Sequence, residues 1–137
     1  GEEIRRAYSI CSTPKSGEVR VAIKKVENGV FSTFATSSLK AGDEIEISIP
    51  EGRFLLNTEA NKNYIGFAAG SGITPILSMV KTVLETEPSS KFTLIYGNKT
   101  AADTIFYDEL NSSPLLYFFF FVFLISEFYE CQPVRRS

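Results

Sequence analysis

The chain has 137 residues, 44% of them hydrophobic, and a net charge of −2; it can bury one modest core or parts of two, and it lacks the electrostatic footprint of a nucleic-acid binder. Histidine is absent, which excludes Ser-His-Asp and Cys-His nucleophilic catalysis and the common zinc constellations. Cys11 and Cys131 are far apart and have no metal-ligand spacing, so neither a disulfide framework nor a metal site is indicated.

Residues 1–6 are charged and carry no secretory signal; without an initiator Met, they read as the interior of a domain, and a fragment is expected. Residues 5–12 are a β-like run that ends at the turn signal Thr13-Pro14-Lys15-Ser16-Gly17. A second strand is expected over 18–26, where Val19, Val21 and Ile23 alternate with Arg20, Ala22 and Lys24 to give one buried and one wetter face. The two would form an antiparallel hairpin. Glu27-Asn28-Gly29 closes it, and 30–39 reads as a short helix with Phe31 and Phe34 inward. After Ala41-Gly42-Asp43, residues 44–49 alternate again and stop at Pro50. This β-rich stretch predicts part of a small antiparallel barrel over 1–57.

Residues 58–63 are polar and make a linker. Beyond it the pattern over 64–111 becomes strand (64–69), helix (75–87), strand (92–97) and helix (101–110). Ile76, Leu77, Val80, Val83 and Leu84 form an apolar stripe at helical spacing that packs on a sheet. Alternating β and α elements predict that the sheet is parallel.

From Ser112 onward the composition shifts. Residues 115–125 are uninterruptedly apolar and include Phe118, Phe119, Phe120 and Phe121, an aggregation hazard on a soluble α/β domain. The run is shorter than the roughly 20 residues that span a membrane. Residues 112–137 are read as foreign to the domain, from a frameshift, an intron or a truncated frame; a parental locus that continues in frame with the same residues would refute this. The rival is a membrane-lying tail, which the lack of an amphipathic pattern disfavours.

Three stretches carry chemistry. Tyr64-Ile65-Gly66-Phe67-Ala68-Ala69-Gly70-Ser71-Gly72-Ile73-Thr74-Pro75 reads as a strand, a glycine turn and a helix start. Such a turn aims backbone N–H groups and the positive end of the helix dipole at one point, which suits a nucleotide pyrophosphate. Thr74 is expected to cap the helix and Pro75 to take its first position. Alone, the motif is equally a tight strand-to-helix turn. In Arg6-Ala7-Tyr8-Ser9, the arginine and tyrosine share a strand face while Ser9 points away. Together they offer a phosphate clamp and an aromatic plate, or simply an exposed strand. Gly29-Val30-Phe31-Ser32 opens a helix and makes a second anion site, or only a cap. Each plain reading suffices alone; their ordered coincidence is harder to dismiss.

The order Arg-x-Tyr-Ser-x-x-Ser, Gly-x-x-Ser, Pro-x-Gly-x-Phe and Gly-x-Gly-x-x-Pro resembles the ferredoxin–NADP reductase superfamily of flavoproteins. Within it, 5–11, 21–24, 68–75 and 92–100 are most similar to reductase components of phenylacetyl-CoA epoxidase-like systems. The likeness covers roughly 2–111. It implies an FAD-binding barrel followed by the first half of a Rossmann-like NAD(P)-binding domain. Arg6 would contact the FAD pyrophosphate, Tyr8 would stack on the flavin, and Ser9 would sit near the hydride-accepting atom. The backbone at Ile23 and Lys24, with Gly29, Phe31 and Ser32, would hold the rest of the FAD diphosphate. Gly70, Ser71, Gly72, Ile73, Thr74 and Pro75 would bind NAD(P)H, with Thr74 near the nicotinamide. Lys99 would meet the 2′-phosphate of NADP, or is a solvated surface lysine.

The resemblance further implies a cytoplasmic enzyme passing electrons from NAD(P)H via FAD to the iron–sulfur centre of an oxygenase component. That chemistry needs no acid–base side chain, which agrees with the missing histidine. A plant-type [2Fe–2S] cluster is expected in the parent protein but needs four cysteines, more than this chain has. Half a barrel leaves open edges, so marginal stability and weak activity are expected. Rivals are a reductase of another oxygenase or a flavohaemoprotein, or a non-catalytic nucleotide-binding or hydrophobic interaction fragment.

Overall fold

The computed structural model describes residues 3–112, so the expectations for 113–137 lie outside the described residues. The first segment folds back at Pro14–Ser16, a single 3-10 turn, where Gly17 takes the left-handed φ of 68°. The two arms meet at one antiparallel bridge, Ile10↔Val21, and the Cys11 N–H donates to the Arg20 carbonyl at 2.8 Å. Next to it the Ser12 hydroxyl substitutes for a ladder bond: it donates to the Glu18 carbonyl at 2.8 Å and accepts from the Arg20 N–H at 3.1 Å.

The hairpin is therefore present, but the strands expected over 5–12, 18–26 and 44–49 do not form ladders. An extended run becomes a strand only where a neighbouring segment supplies backbone partners. Among the described residues none does so beyond that bridge. Val19 and Val21 stay exposed despite their alternation, and Ile49 is 82% exposed. The barrel half of the expected fold is thus reduced here to a hairpin and one helix.

That helix, α1 (Val30–Ser37), ends two residues earlier than expected, where the Ser38 N–H bonds to the Phe34 carbonyl. Phe31 is half-buried, whereas Phe34 is 46% exposed rather than inward. The buried side chain of α1 is Ser32, and two residues are about 200° of helix rotation, so Phe34 faces away from it.

The core is a β-α-β unit. Strands β1 (Asn63–Ala69) and β2 (Lys91–Gly97) pair in parallel, in register from Asn63↔Lys91 to Ala69↔Gly97, with α2 (Ile73–Thr86) between them in the chain. Ile73, Ile76, Leu77, Val80 and Val83 of α2 bury against Phe92, Leu94 and Tyr96, with Leu110 joining from beyond β2. Gly66 lets helix and sheet meet: a Cβ there would lie 2.8 Å from the Phe92 ring and 3.0 Å from Ile76. The other face of the sheet is open, with Phe67 70% exposed.

Two helix boundaries differ from expectation. α2 starts at Ile73, so Pro75 sits third in the helix, where a backbone N–H still has no intrahelical partner and its loss is harmless. The cap position belongs to Gly72, not Thr74, whose hydroxyl donates to the Ser71 carbonyl at 3.0 Å. The helix expected over 101–110 is split into a 3-10 turn, Ala101–Asp103, and α3 (Tyr107–Ser112). Between them Phe106 holds φ at 63°, which a continuous right-handed helix cannot contain. No helix among the described residues is long and apolar enough to cross a membrane.

Candidate functional site

Parallel sheets bind ligands at the carboxyl ends of their strands. There β1 gives way to the 3-10 turn Gly70–Gly72, which runs directly into α2. Gly70 has φ of 48°, a conformation that disfavours any residue with a Cβ. A Cβ at Gly70 or at Gly72 would meet nothing within 4 Å, so the outer side of the turn is open space. No side chain caps α2, whose first turn borders that space; of its first three residues, Pro75 has no N–H and the Ile73 N–H is bonded within the turn. The inner side is fastened: the Tyr96 hydroxyl donates to the Gly70 carbonyl at 3.0 Å, and the Ile73 N–H reaches the Gly70 and Ser71 carbonyls. Ser71 is exposed, Pro75 half-buried, and Ile73 and Thr74 buried. The Thr74 hydroxyl is thus engaged inside the turn.

A second uncapped helix end lies on the other half of the chain. Gly29 is the N-cap of α1 and carries no side-chain bond. The Ser32 hydroxyl accepts from the Val26 N–H at 3.1 Å and donates to the Gly29 carbonyl at 3.4 Å, closing the loop from 26 to 32. A Cβ on Gly29 would lie 2.4 Å from the Ser32 oxygen, so the loop requires glycine. Tyr8 lies against Phe31, with ring centroids 5.7 Å apart and planes at 43°. The structure therefore brings together Tyr8, Gly29, Phe31 and Ser32. Ser9 and Arg6 are exposed, and the Arg6 guanidinium donates to the Arg5 carbonyl at 2.7 Å.

Between the halves is a cleft of about 240 Å³, lined on one side by Ala22, Ile23 and Lys24 and on the other by residues 102–105. The Lys24 ammonium crosses it to Asp103 Oδ1 at 3.0 Å. The hydrogen bond from Lys24, then the Thr100 hydroxyl, hold the Asp103 carboxyl below its ordinary range. Lys99, exposed past the end of β2, adds its charge to the same effect. A further tie is the Ser78 hydroxyl of α2, which donates to the Ser12 carbonyl at 2.7 Å.

Tyr96 and Asp103 were missed by sequence reasoning. Thr100-x-x-Asp103 has the spacing of a helix-start cap, and the Thr100 oxygen does accept from the Asp103 N–H at 3.2 Å. Tyr96 sits in an apolar strand, where a buried hydroxyl needs a partner. Neither glycine-bearing helix start is closed by a side-chain cap, and the Gly70–Gly72 turn also has open space at its glycines, an arrangement that fits the phosphates of dinucleotides.

Comparison with known proteins agrees with that geometry. Residues 1–56 match the oxidoreductase FAD-binding domain family, and residues 67–115 match the oxidoreductase NAD-binding domain family. Over 112 residues the chain is 46% identical to a component of the 1,2-phenylacetyl-CoA epoxidase of Escherichia coli (strain K12), covering 80% of this chain and 32% of that protein. The chain spans about a third of the length of the curated relatives it matches. Among solved structures, phthalate dioxygenase reductase superposes with a TM-score of 0.72 at 30% identity, covering 90% of this chain and 39% of that one. Ferredoxin-NADP+ reductase from Plasmodium falciparum with 2′P-AMP superposes with a TM-score of 0.74 at 28% identity, covering 86% and 52%. With an FAD-binding match followed by an NAD-binding match, and with these folds as its neighbours, the chain belongs to the ferredoxin–NADP reductase-like oxidoreductases.

Proposed function

We propose that this chain is the flavin- and nicotinamide-contacting part of a reductase that moves electrons from NAD(P)H through FAD to an iron–sulfur centre of an oxygenase system, of the phenylacetyl-CoA epoxidase type. The observation that carries the reading is the pair of uncapped, glycine-bearing helix starts, at Gly29 and at Gly72, one in each matched family segment. The names of the relatives support the acceptor: one solved neighbour is described as a modular structure for electron transfer from pyridine nucleotides to [2Fe–2S].

Residues 1–57 form the FAD part and 64–111 the nicotinamide nucleotide part, joined by the linker 58–63. Tyr8 presents its ring to the flavin, with Phe31 backing it. Arg6, the backbone at Ile23 and Lys24, and the α1 start at Gly29, Phe31 and Ser32 hold the FAD diphosphate. Ser9 offers its hydroxyl at the flavin edge. Gly70, Ser71, Gly72, Ile73 and Pro75 wrap the NAD(P)H diphosphate, and Thr74 stabilises the turn that faces the nicotinamide. Lys99 meets the 2′-phosphate of NADP. Bound FAD supplies the chemistry of converting a two-electron hydride donor into single-electron transfers. The chain's own contribution is to bind and orient the two cofactors and exclude water between them.

Titrating FAD against the purified chain, and against a version ending at Asn111, while following flavin fluorescence tests this. Quenching that Tyr8→Ala weakens supports the reading. Absence of quenching in both refutes it for this chain and favours a non-catalytic fragment.

A further inference from the structure

The Gly70–Gly72 turn is closed from within by the Ile73 N–H and the Thr74 hydroxyl, and its first carbonyl is also held from beneath. Tyr96 does this. It is 0% exposed, and its hydroxyl donates to the Gly70 carbonyl at 3.0 Å, with the Ile105 carbonyl alongside at 3.5 Å. Burial pushes the hydroxyl's pKa up, so it remains a donor throughout the neutral range. A trans peptide is planar, with its C=O and N–H pointing opposite ways. Drawing the Gly70 carbonyl down onto Tyr96 therefore turns the Ser71 N–H of the same peptide outward, to the side where a Cβ on Gly70 or Gly72 meets only open space.

We infer that Tyr96 is a positioning residue for the nicotinamide nucleotide: its hydroxyl fixes the Gly70–Ser71 peptide so that the turn's N–H groups converge on the diphosphate. This rests on the nucleotide role proposed above for the turn. Ile105 belongs to the segment that lines the cleft opposite Lys24, so the same hydroxyl also reaches that segment.

The test compares Tyr96→Phe with Tyr64→Phe in the full chain. Tyr64 is a control on the same sheet: its hydroxyl bonds to Glu59 at the far end of β1, accepting from the N–H at 2.8 Å and donating to the carbonyl at 3.0 Å. Both substitutions remove one hydroxyl and keep the ring. NADPH and 2′-phospho-AMP binding are measured by calorimetry, and amide hydrogen exchange is measured without ligand. Tyr96→Phe should weaken both ligands about threefold to tenfold, the worth of one hydrogen bond, while Tyr64→Phe leaves them unchanged at a similar loss of thermal stability. Exchange should quicken at 70–73 in the first variant and at 59–64 in the second. Equal ligand affinity in the two variants, or exchange at 70–73 unaffected by Tyr96→Phe, overturns the inference. If the unaltered chain binds neither ligand, the functional reading above fails, and the exchange pattern alone decides whether Tyr96 shapes the turn.

Discussion

Lys24 and Asp103 stand 79 positions apart in the chain, yet the ammonium of one donates to the carboxylate of the other at 3.0 Å. The pair joins the segment matched to FAD-binding domains with the segment matched to NAD-binding domains. Asp103 is prepared for the contact by Thr100, whose hydroxyl donates to the second carboxylate oxygen at 2.8 Å.

The pH dependence of this contact follows from its sign. The Asp103 carboxyl is depressed below the ordinary value of 3.8, which the unfolded chain keeps. Its contribution is therefore complete above that ordinary value and fades as pH falls through the lower folded one. Asp103→Asn should lower Tm at neutral pH, with the difference closing in acid and in high salt. Tm measured from about pH 7 to about pH 2 on both proteins checks this; a difference that persists at the acid end would refute the ion pair as its source.

Gly66→Ala should destabilise the β-α-β unit by about 1–3 kcal/mol, the usual cost of overpacking. Its methyl would press on the Phe92 ring and on Ile76, both buried in the core. Urea unfolding followed by tyrosine fluorescence measures the loss.

The two glycines of the turn proposed to bind the nucleotide should respond differently. Gly72 has ordinary helical dihedrals, φ −62° and ψ −10°, with open space at its Cβ, so Gly72→Ala leaves Tm unchanged or slightly higher. The added methyl fills the cradle, and NADPH affinity should fall at least tenfold. Gly70→Ala meets the same open space but at φ of 48°, so it should cost about 1 kcal/mol in stability besides. Calorimetric binding and thermal melts on both variants separate ligand space from backbone strain.

At the proposed flavin site, Gly29→Ala should loosen the 26–32 loop by displacing the Ser32 hydroxyl from its 3.1 Å bond to Val26. FAD affinity should drop while NADPH affinity holds. Fluorescence titration with each cofactor distinguishes this from general unfolding, in which both would be lost.

The β-α-β unit was legible because its signals are local. Apolar runs at 64–69 and 92–97, the helical stripe from Ile76 to Leu84, and Gly70-x-Gly72 before Pro75 all agree on one arrangement, and the residue order alone carried the family likeness. Three things needed the tertiary structure. Whether alternating residues at 18–26 and 44–49 become strands depends on partners that alternation cannot supply, and here Val19, Val21, Val26, Ile45, Ile47 and Ile49 stay exposed. The helix expected over 101–110 is broken by a left-handed Phe106, in a segment where Thr100 and Asp103 close a turn and Asp103 reaches Lys24. And the support of the glycine turn comes from Tyr96, 26 positions away, because parallel pairing brings the carboxyl ends of β1 and β2 side by side. Periodicity records what a segment does with its own neighbours; contacts between distant segments exist only once the chain has closed upon itself.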